Sequence, residues 1–219
     1  MNHALPQFKK RRLPHVDGRK GWTLPEVLLV AVIVSILLAL SMPVFNRVRA
    51  HSQNIRCLNN LRQIGIAFLQ YQQDSGGLIP PPGKGQLAWN VQLKPYGIII
   101  RNPSPLFCPA DPGADNSFET AGYSYSMNIG LKSSKQSIIF DGTLDYTPIR
   151  ASAVTFPSKT ILMGDSETKV AGRMLTYERF FGDRHGGHAN FVFCDGHVES
   201  LTKEQTKEPV DLWSYDKTR

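Results

Sequence analysis

An uninterrupted apolar run near the N-terminus constrains this chain more than any other feature. Between Val27 and Leu40 there is no charged side chain, and Ser35 is the only polar one. With Trp22–Leu24 in front and Ser41–Phe45 behind, the run reaches about two dozen residues, long enough to cross a bilayer as a helix. Glu26 stands near its start, where an ionised carboxylate in hydrocarbon is costly and calls for a partner. An ordinary signal anchor would answer this by keeping Glu26 at the wet interface. A cleaved secretory signal fits less well, because the apolar core exceeds the usual length and no small-x-small site follows it.

Charge supports the same division of the chain. The 219 residues carry a net charge of +7, which on its own invites a nucleic-acid partner. Residues 1–21 hold Lys9, Lys10, Arg11, Arg12, Arg19 and Lys20 against Asp17, so +5 of the +7 lies there and the rest of the chain keeps +2. A basic segment before an apolar run stays on the cytoplasmic side, which sends the folded part across the membrane. The apolar fraction of 41% and charged fraction of 20% are those of a chain with a real core. The leader, with Pro6, Pro14 and no periodicity, reads as unstructured.

Beyond the run, Pro43 predicts a bend or loosening of the helix, since it lacks an amide hydrogen and crowds the preceding turn. Ile55, Leu58, Leu61, Ile64, Phe68 and Tyr71 then recur at helical spacing and predict one buried stripe, stopped at Asp74-Ser-Gly-Gly77. Continuous from Trp22 to Tyr71, such a helix would be roughly 75 Å long; the alternative is two helices with Pro43 between them. Pro- and Gly-rich punctuation follows at residues 78–85 and 102–105. A short helix is expected at Trp89–Leu93, and a short strand or buried loop at Gly97–Ile100. Strands are expected at Tyr123–Met127, Ser137–Phe140 and Thr160–Met163. The strongest hairpin signal is Ala189–Cys194, Asp195-Gly196, His197–Leu201. Asp-Gly favours a two-residue turn, which would set Phe193 opposite Val198 and Cys194 opposite His197, with Phe191, Phe193 and Val198 on one core face. The tail from Thr202 is polar apart from Val210, Leu212 and Trp213.

Two strings carry a family resemblance. A basic leader, Gly21, the large apolar Trp22, Thr-Leu, and Glu26 five residues after the glycine resemble the processing site of type IV prepilins and type II secretion pseudopilins. The resemblance implies cleavage after Gly21 by a prepilin peptidase, methylation of Trp22, and pairing of Glu26 with the N-terminal ammonium of a neighbouring subunit, which would give the buried carboxylate its partner. Trp22 and Pro25 depart from the commoner residues of that pattern; a proline in the first helical turn is harmless. Farther on, His185, nine residues, then Asp195-Gly196 is similar to the H-x9-DG group of prepilin-like proteins. Cys57–Gly65, Phe107–Asp111 and the Tyr125–Asn128 strand end support this.

Chemistry in the folded part is weakly signalled. His185, His188, Cys194 and His197 superficially suit zinc, but the glycines and the turn bend that stretch, and a loop histidine that bonds the hairpin is the simpler account. Asp165, Asp183 and Asp195 offer hard oxygens that would suit calcium, although Asp195 is already explained by its turn. No Gly-x-Ser-x-Gly elbow or paired-carboxylate motif is present, so no enzyme is expected. Of three cysteines, Cys57 on the helix and Cys108 in a loop that could fold back on it form the preferred bridge, leaving Cys194 as a buried thiol; all three reduced is the alternative.

The expected fold is α+β and pilin-like: a basic leader (1–21), a transmembrane helix (22–45), its amphipathic continuation (46–75), and a head (76–219) with an antiparallel sheet. The expected function is a structural subunit, processed by prepilin peptidase and assembled with like subunits through its N-terminal helix. It would be a single-pass inner-membrane protein with a periplasmic or extracellular head, without cofactor or nucleic-acid partner. One rival is an anchored binding protein that grips a polymer or DNA through Trp89, Tyr123 and Tyr125. The other is an anchored enzyme using His185 and Asp195.

Overall fold

The computed structural model describes residues 21–80, 89–99, 104–112, 123–128, 149–167, 174–175 and 181–207. The expectations for the leader, for a strand at Ser137–Phe140 and for Val210, Leu212 and Trp213 lie outside these. The chain divides into two compact units, Met1–Phe45 and Asn46–Arg219.

Helix α1 spans Leu24–Asp74 without interruption. Thr23 begins it: its carbonyl accepts the amides of Glu26 and Val27. Pro43 lies inside this helix, so the continuous helix expected from Trp22 to Tyr71 is seen and the alternative of two helices is not. Ser35 and Ser41 turn their hydroxyls back onto the carbonyls of Ala31 and Leu37, which satisfies a polar side chain without any partner outside the helix. Every described side chain from Trp22 to Leu40 is exposed. This stretch is long and apolar enough to cross a membrane.

In the second unit α1 has one buried stripe: Cys57, Leu61, Ile64, Gly65, Ala67 and Phe68. The expected stripe was rotated from this one at its start. Ile55 is 45% exposed, because Cys57, Leu61, Ile64 and Phe68 already define the face at spacings of four, three and four, and Ile55 falls off it. The helix closes with Gly76 and Gly77 at φ 68° and 85°, and the Gly77 amide reaches back to the Gln72 carbonyl. Only residues tolerant of positive φ make this left-handed exit cheaply.

The folded unit is α+β. Its sheet runs in the order β3-β1-β2-β4-β5, with β1 Tyr125–Asn128, β2 Ile161–Asp165, β3 Met174–Leu175, β4 Ala189–Phe193 and β5 Val198–Leu201. β1, β2, β4 and β5 pair antiparallel, and the two-residue β3 adds in parallel to β1. Helix α2 is Trp89–Gln92. Where a strand or buried loop was expected at Gly97–Ile100, a 3-10 turn at Lys94–Tyr96 leads into Gly97 at φ 89°, and Ile98 is buried beside an exposed Ile99.

The sheet is buried on both faces. One face carries Tyr125, Met127, Leu162, Met163 and Val192 into the same cluster as Cys57, Leu61, Ile64 and Phe68 of α1. The other carries Ile161, Ala189, Phe191, Phe193 and Leu201 together with Phe181. The register slips by one residue between Ile161 and Met163 of β2. Such a bulge breaks the alternation of faces, which is how the consecutive Leu162 and Met163 enter one cluster.

The hairpin turn differs from expectation. Val192 pairs with Val198, the Phe193 amide donates to the His197 carbonyl, and the Gly196 amide donates to the Phe193 carbonyl. The loop is therefore three residues, Cys194-Asp195-Gly196, with Gly196 at φ 91°. A turn closed by a left-handed glycine is the other common solution for Asp-Gly. The one-residue difference moves Val198 to the α1 face and sets Phe193 opposite His197, whose ring stacks on it at 4.2 Å.

Candidate functional site

The N-terminal candidates stand at the head of α1. Gly21 and Trp22 are exposed. Glu26 Oε2 accepts hydrogen bonds from the Thr23 amide and the Thr23 hydroxyl, both at 2.7 Å. A carboxylate three residues into a helix that reaches back to the cap amide is half of a capping box. Within a single chain, then, Glu26 is held by Thr23 and satisfies an amide that the helix leaves open.

The richest cluster of chemical side chains lies in the second unit, where α1, the 104–112 loop, β2 and the 181–188 loop meet. Cys57 and Cys108 are joined in a disulfide, both fully buried, with Cα atoms 5.0 Å apart. His185 Nε2 lies 3.5 Å from Cys108 Sγ and 3.2 Å from Asp165 Oδ2, with the two side chains 2% and 0% exposed. The Asn190 amide donates to the same carboxylate oxygen at 2.8 Å. Asp165 Oδ1 is buried with no hydrogen-bond partner. The facing carboxylate fixes the imidazole orientation, since a buried anion draws the ring N–H toward itself.

A second polar group buttresses the first. Arg184 Nη1 pairs with Asp111 Oδ2 at 2.6 Å, and Arg184 Nη2 donates to the carbonyls of Ser124 and Ser166. The Ser124 hydroxyl donates to Asp111 at 2.8 Å. A guanidinium with several oxygen partners can be held inside a fold, where a lone charge could not. The Tyr125 hydroxyl donates to the Cys57 carbonyl at 3.4 Å. Burial, and then the nearby Asp165 charge, push its pKa well above the usual tyrosine range, so it remains a donor.

The H-x9-DG residues are not one site. His185 belongs to the disulfide cluster. Asp195 caps its own turn, accepting from the His197 amide at 3.1 Å and lying 2.6 Å from His197 Nδ1. Gly196 has two reasons to be glycine. Its φ is 91°, and a Cβ there would stand 2.7 Å from Leu69 Cδ1 on α1. A Cβ on Gly65 would likewise meet Val192 Cγ2 at 2.8 Å and the Gly196 carbonyl at 3.3 Å. The hairpin tip is thus seated against α1 at a pair of glycines.

Several groupings that the sequence offered only as less favoured candidates are not formed among the described residues. His188 is exposed and its Nδ1 faces the Gly186 carbonyl. Cys194 is buried, its thiol pushed up to about 12 by burial and by Asp195. His197 is taken by Asp195. The zinc set of His185, His188, Cys194 and His197 is therefore dispersed, because the turn sends neighbouring residues to different sides. The calcium trio is dispersed too: Asp165 is on buried β2, Asp195 in the hairpin turn, and Asp183 in an exposed loop. The binding aromatics Trp89 and Tyr125 are 1% and 2% exposed and belong to the core, with Tyr123 packed against it.

Sequence reasoning noted Asp165 and Asp111 without their partners and passed over Arg184 and Asn190. Adjacent Arg184-His185 beside a lone buried-strand aspartate was the signal available, but which carboxylate each basic group would meet depends on the strand order. Comparison with protein-family models, with curated proteins and with solved structures returned no match.

Proposed function

We propose that this chain is a prepilin-like structural subunit, cleaved after Gly21 by a prepilin peptidase and assembled with like subunits through the apolar part of α1. The observation that carries this is the ordered string Gly21-Trp22-Thr23-Leu24-Pro25-Glu26 at the head of a helix whose apolar side chains from Val27 to Leu40 are exposed. An exposed stripe of this size must be covered by lipid, by copies of itself, or by each in turn. A mature chain starting at Trp22 would carry an ammonium four residues from Glu26, and the carboxylate now held by Thr23 could exchange it for the ammonium of a neighbour. The protein would be single-pass in the inner membrane with its head on the far side, in a pilus or a secretion pseudopilus. A buried disulfide in the head suits an oxidising compartment.

The N-terminal mass of protein isolated from its native membrane tests this. The expected result is a chain beginning at methylated Trp22. An intact Met1 end would sink the proposal and leave a signal-anchored protein.

A further inference from the structure

Cys57 Sγ, Cys108 Sγ and His185 Nε2 lie within 4.8 Å of one another. We propose that when the disulfide is reduced, these three side chains hold a divalent metal of the zinc class, with the Asp165 carboxylate beside them to offset its charge. The cluster would then be a thiol-gated metal site, disulfide in one state and metal-bound in the other. This is independent of how the N-terminus is processed.

The argument is geometric. In a tetrahedral zinc site with Zn–S about 2.3 Å and Zn–N about 2.0–2.1 Å, the S···N ligand-to-ligand edge is about 3.5 Å. The structure has 3.5 Å between Cys108 Sγ and His185 Nε2, and 3.2 Å between that nitrogen and Asp165 Oδ2. The S···N edge of a tetrahedral site is thus in place, with a carboxylate oxygen beside the same nitrogen. The edge that differs is S···S, where two bonded sulfurs must part to about 3.8 Å to become two ligands. The carboxylate adds a second, independent indication. Asp165 is 0% exposed and its Oδ1 has no partner. A buried carboxylate with an unmet oxygen is costly unless something cationic shares the site.

The chemistry balances with a dithiol as reductant. It delivers two electrons and two protons, becomes a cyclic disulfide, and leaves Cys57 and Cys108 as thiols. Metal binding then releases the two thiol protons, while the proton on His185 Nε2 passes to Nδ1, so that the thiolates and the neutral imidazole become ligands. The freed carboxylate stays beside the metal to offset its charge.

The test uses the full chain in detergent, reduced anaerobically with a phosphine, which takes oxygen from one water while the two water protons go to the sulfurs. Cobalt(II) is the probe. The expected result is one cobalt per reduced chain, with a thiolate-to-cobalt charge-transfer band and the intense d–d bands of a tetrahedral site, and neither in the oxidised chain. Cys194→Ala should leave the spectrum unchanged. His185→Ala should abolish the tetrahedral bands, and Asp165→Asn should weaken binding by about 10–100-fold. No charge-transfer band on reduction, or a band that survives Cys57→Ser with Cys108→Ser, or one that disappears with Cys194→Ala, would overturn the proposal. If reduction unfolds the head, zinc should restore its circular dichroism and raise its Tm; a reduced chain that zinc does not refold counts equally against the site.

Discussion

At the scale of single residues, the fold uses its polar side chains to secure backbone and disulfide, and leaves its one free thiol inert. Cys194 sits at the hairpin turn, 6% exposed and next to Asp195. Its thiol ionises near 9.0 in the unfolded chain and only at about 12 in the fold. The folded state therefore keeps a proton that the unfolded chain gives up, and this contribution is complete below pH 9 and lost as pH rises toward 12. Tyr125 works in the same direction at higher pH, so the comparison must be with a variant that retains it. Denaturant midpoints measured between about pH 8 and 11 should fall more steeply for the native chain than for Cys194→Ala. Equal slopes would mean that the thiol is not held neutral. In the same native chain Cys194 should resist thiol reagents until it is unfolded, since the thiolate is the reactive form.

At the scale of elements, close approach decides which residues are tolerated. β2 and β4 meet where Gly164 pairs with Phe191. A Cβ on Gly164 would stand 2.1 Å from Phe191 Cδ1 and 2.9 Å from the Asn190 carbonyl, and Phe191 is 0% exposed with Phe181 tilted against it at 5.7 Å. The ring has nowhere to swing. Gly164→Ala should lower the unfolding free energy by about 1–3 kcal/mol, the usual cost of overpacking, and a urea titration would read it; no change would mean that the sheets of side chains on that face can still adjust. This contact was not legible in the sequence. Strand existence was, because Thr160–Met163 and the two arms around Asp195-Gly196 carry dense apolar runs between turn residues. What defeated the reading was register. Both faces of the central strands are buried, so there was no polar alternation there to fix the pairing, and one extra residue in the turn moved Val198 to the α1 face while Phe193 stayed with Phe191. β3 has two residues and left no periodicity to find. Ile55 was placed on the buried face of α1 because apolar character alone cannot distinguish neighbours a fraction of a turn apart. The cluster of His185, Asp165, Cys57 and Cys108 draws on four segments far apart in sequence, and only the strand order brings Asp165 to His185.

At the scale of the whole molecule, the burial of α1 starts late. None of its residues before Cys57 is buried, and the two compact units divide after Phe45. The core of the second unit draws on α1 through the buried Cys57, Leu61, Ile64, Ala67 and Phe68, with the partly buried Tyr71 packed against them. Among the described residues, removing those up to 45 takes away no buried side chain and no partner of the disulfide cluster, while it deletes Val27–Leu40, whose exposed apolar surface would drive association in water. A chain beginning at Asn46 should therefore stay in the aqueous phase without detergent and unfold with the same midpoint as the full chain in detergent. The full chain should sediment with membranes and resist extraction by high salt or alkaline carbonate, as a spanning helix does and a peripheral contact does not. A truncated chain that aggregates, or that loses several degrees of Tm, would show that the apolar half of α1 contributes to the fold as well as to its placement. Full-length protein released by salt alone would show that the helix is covered by something other than lipid.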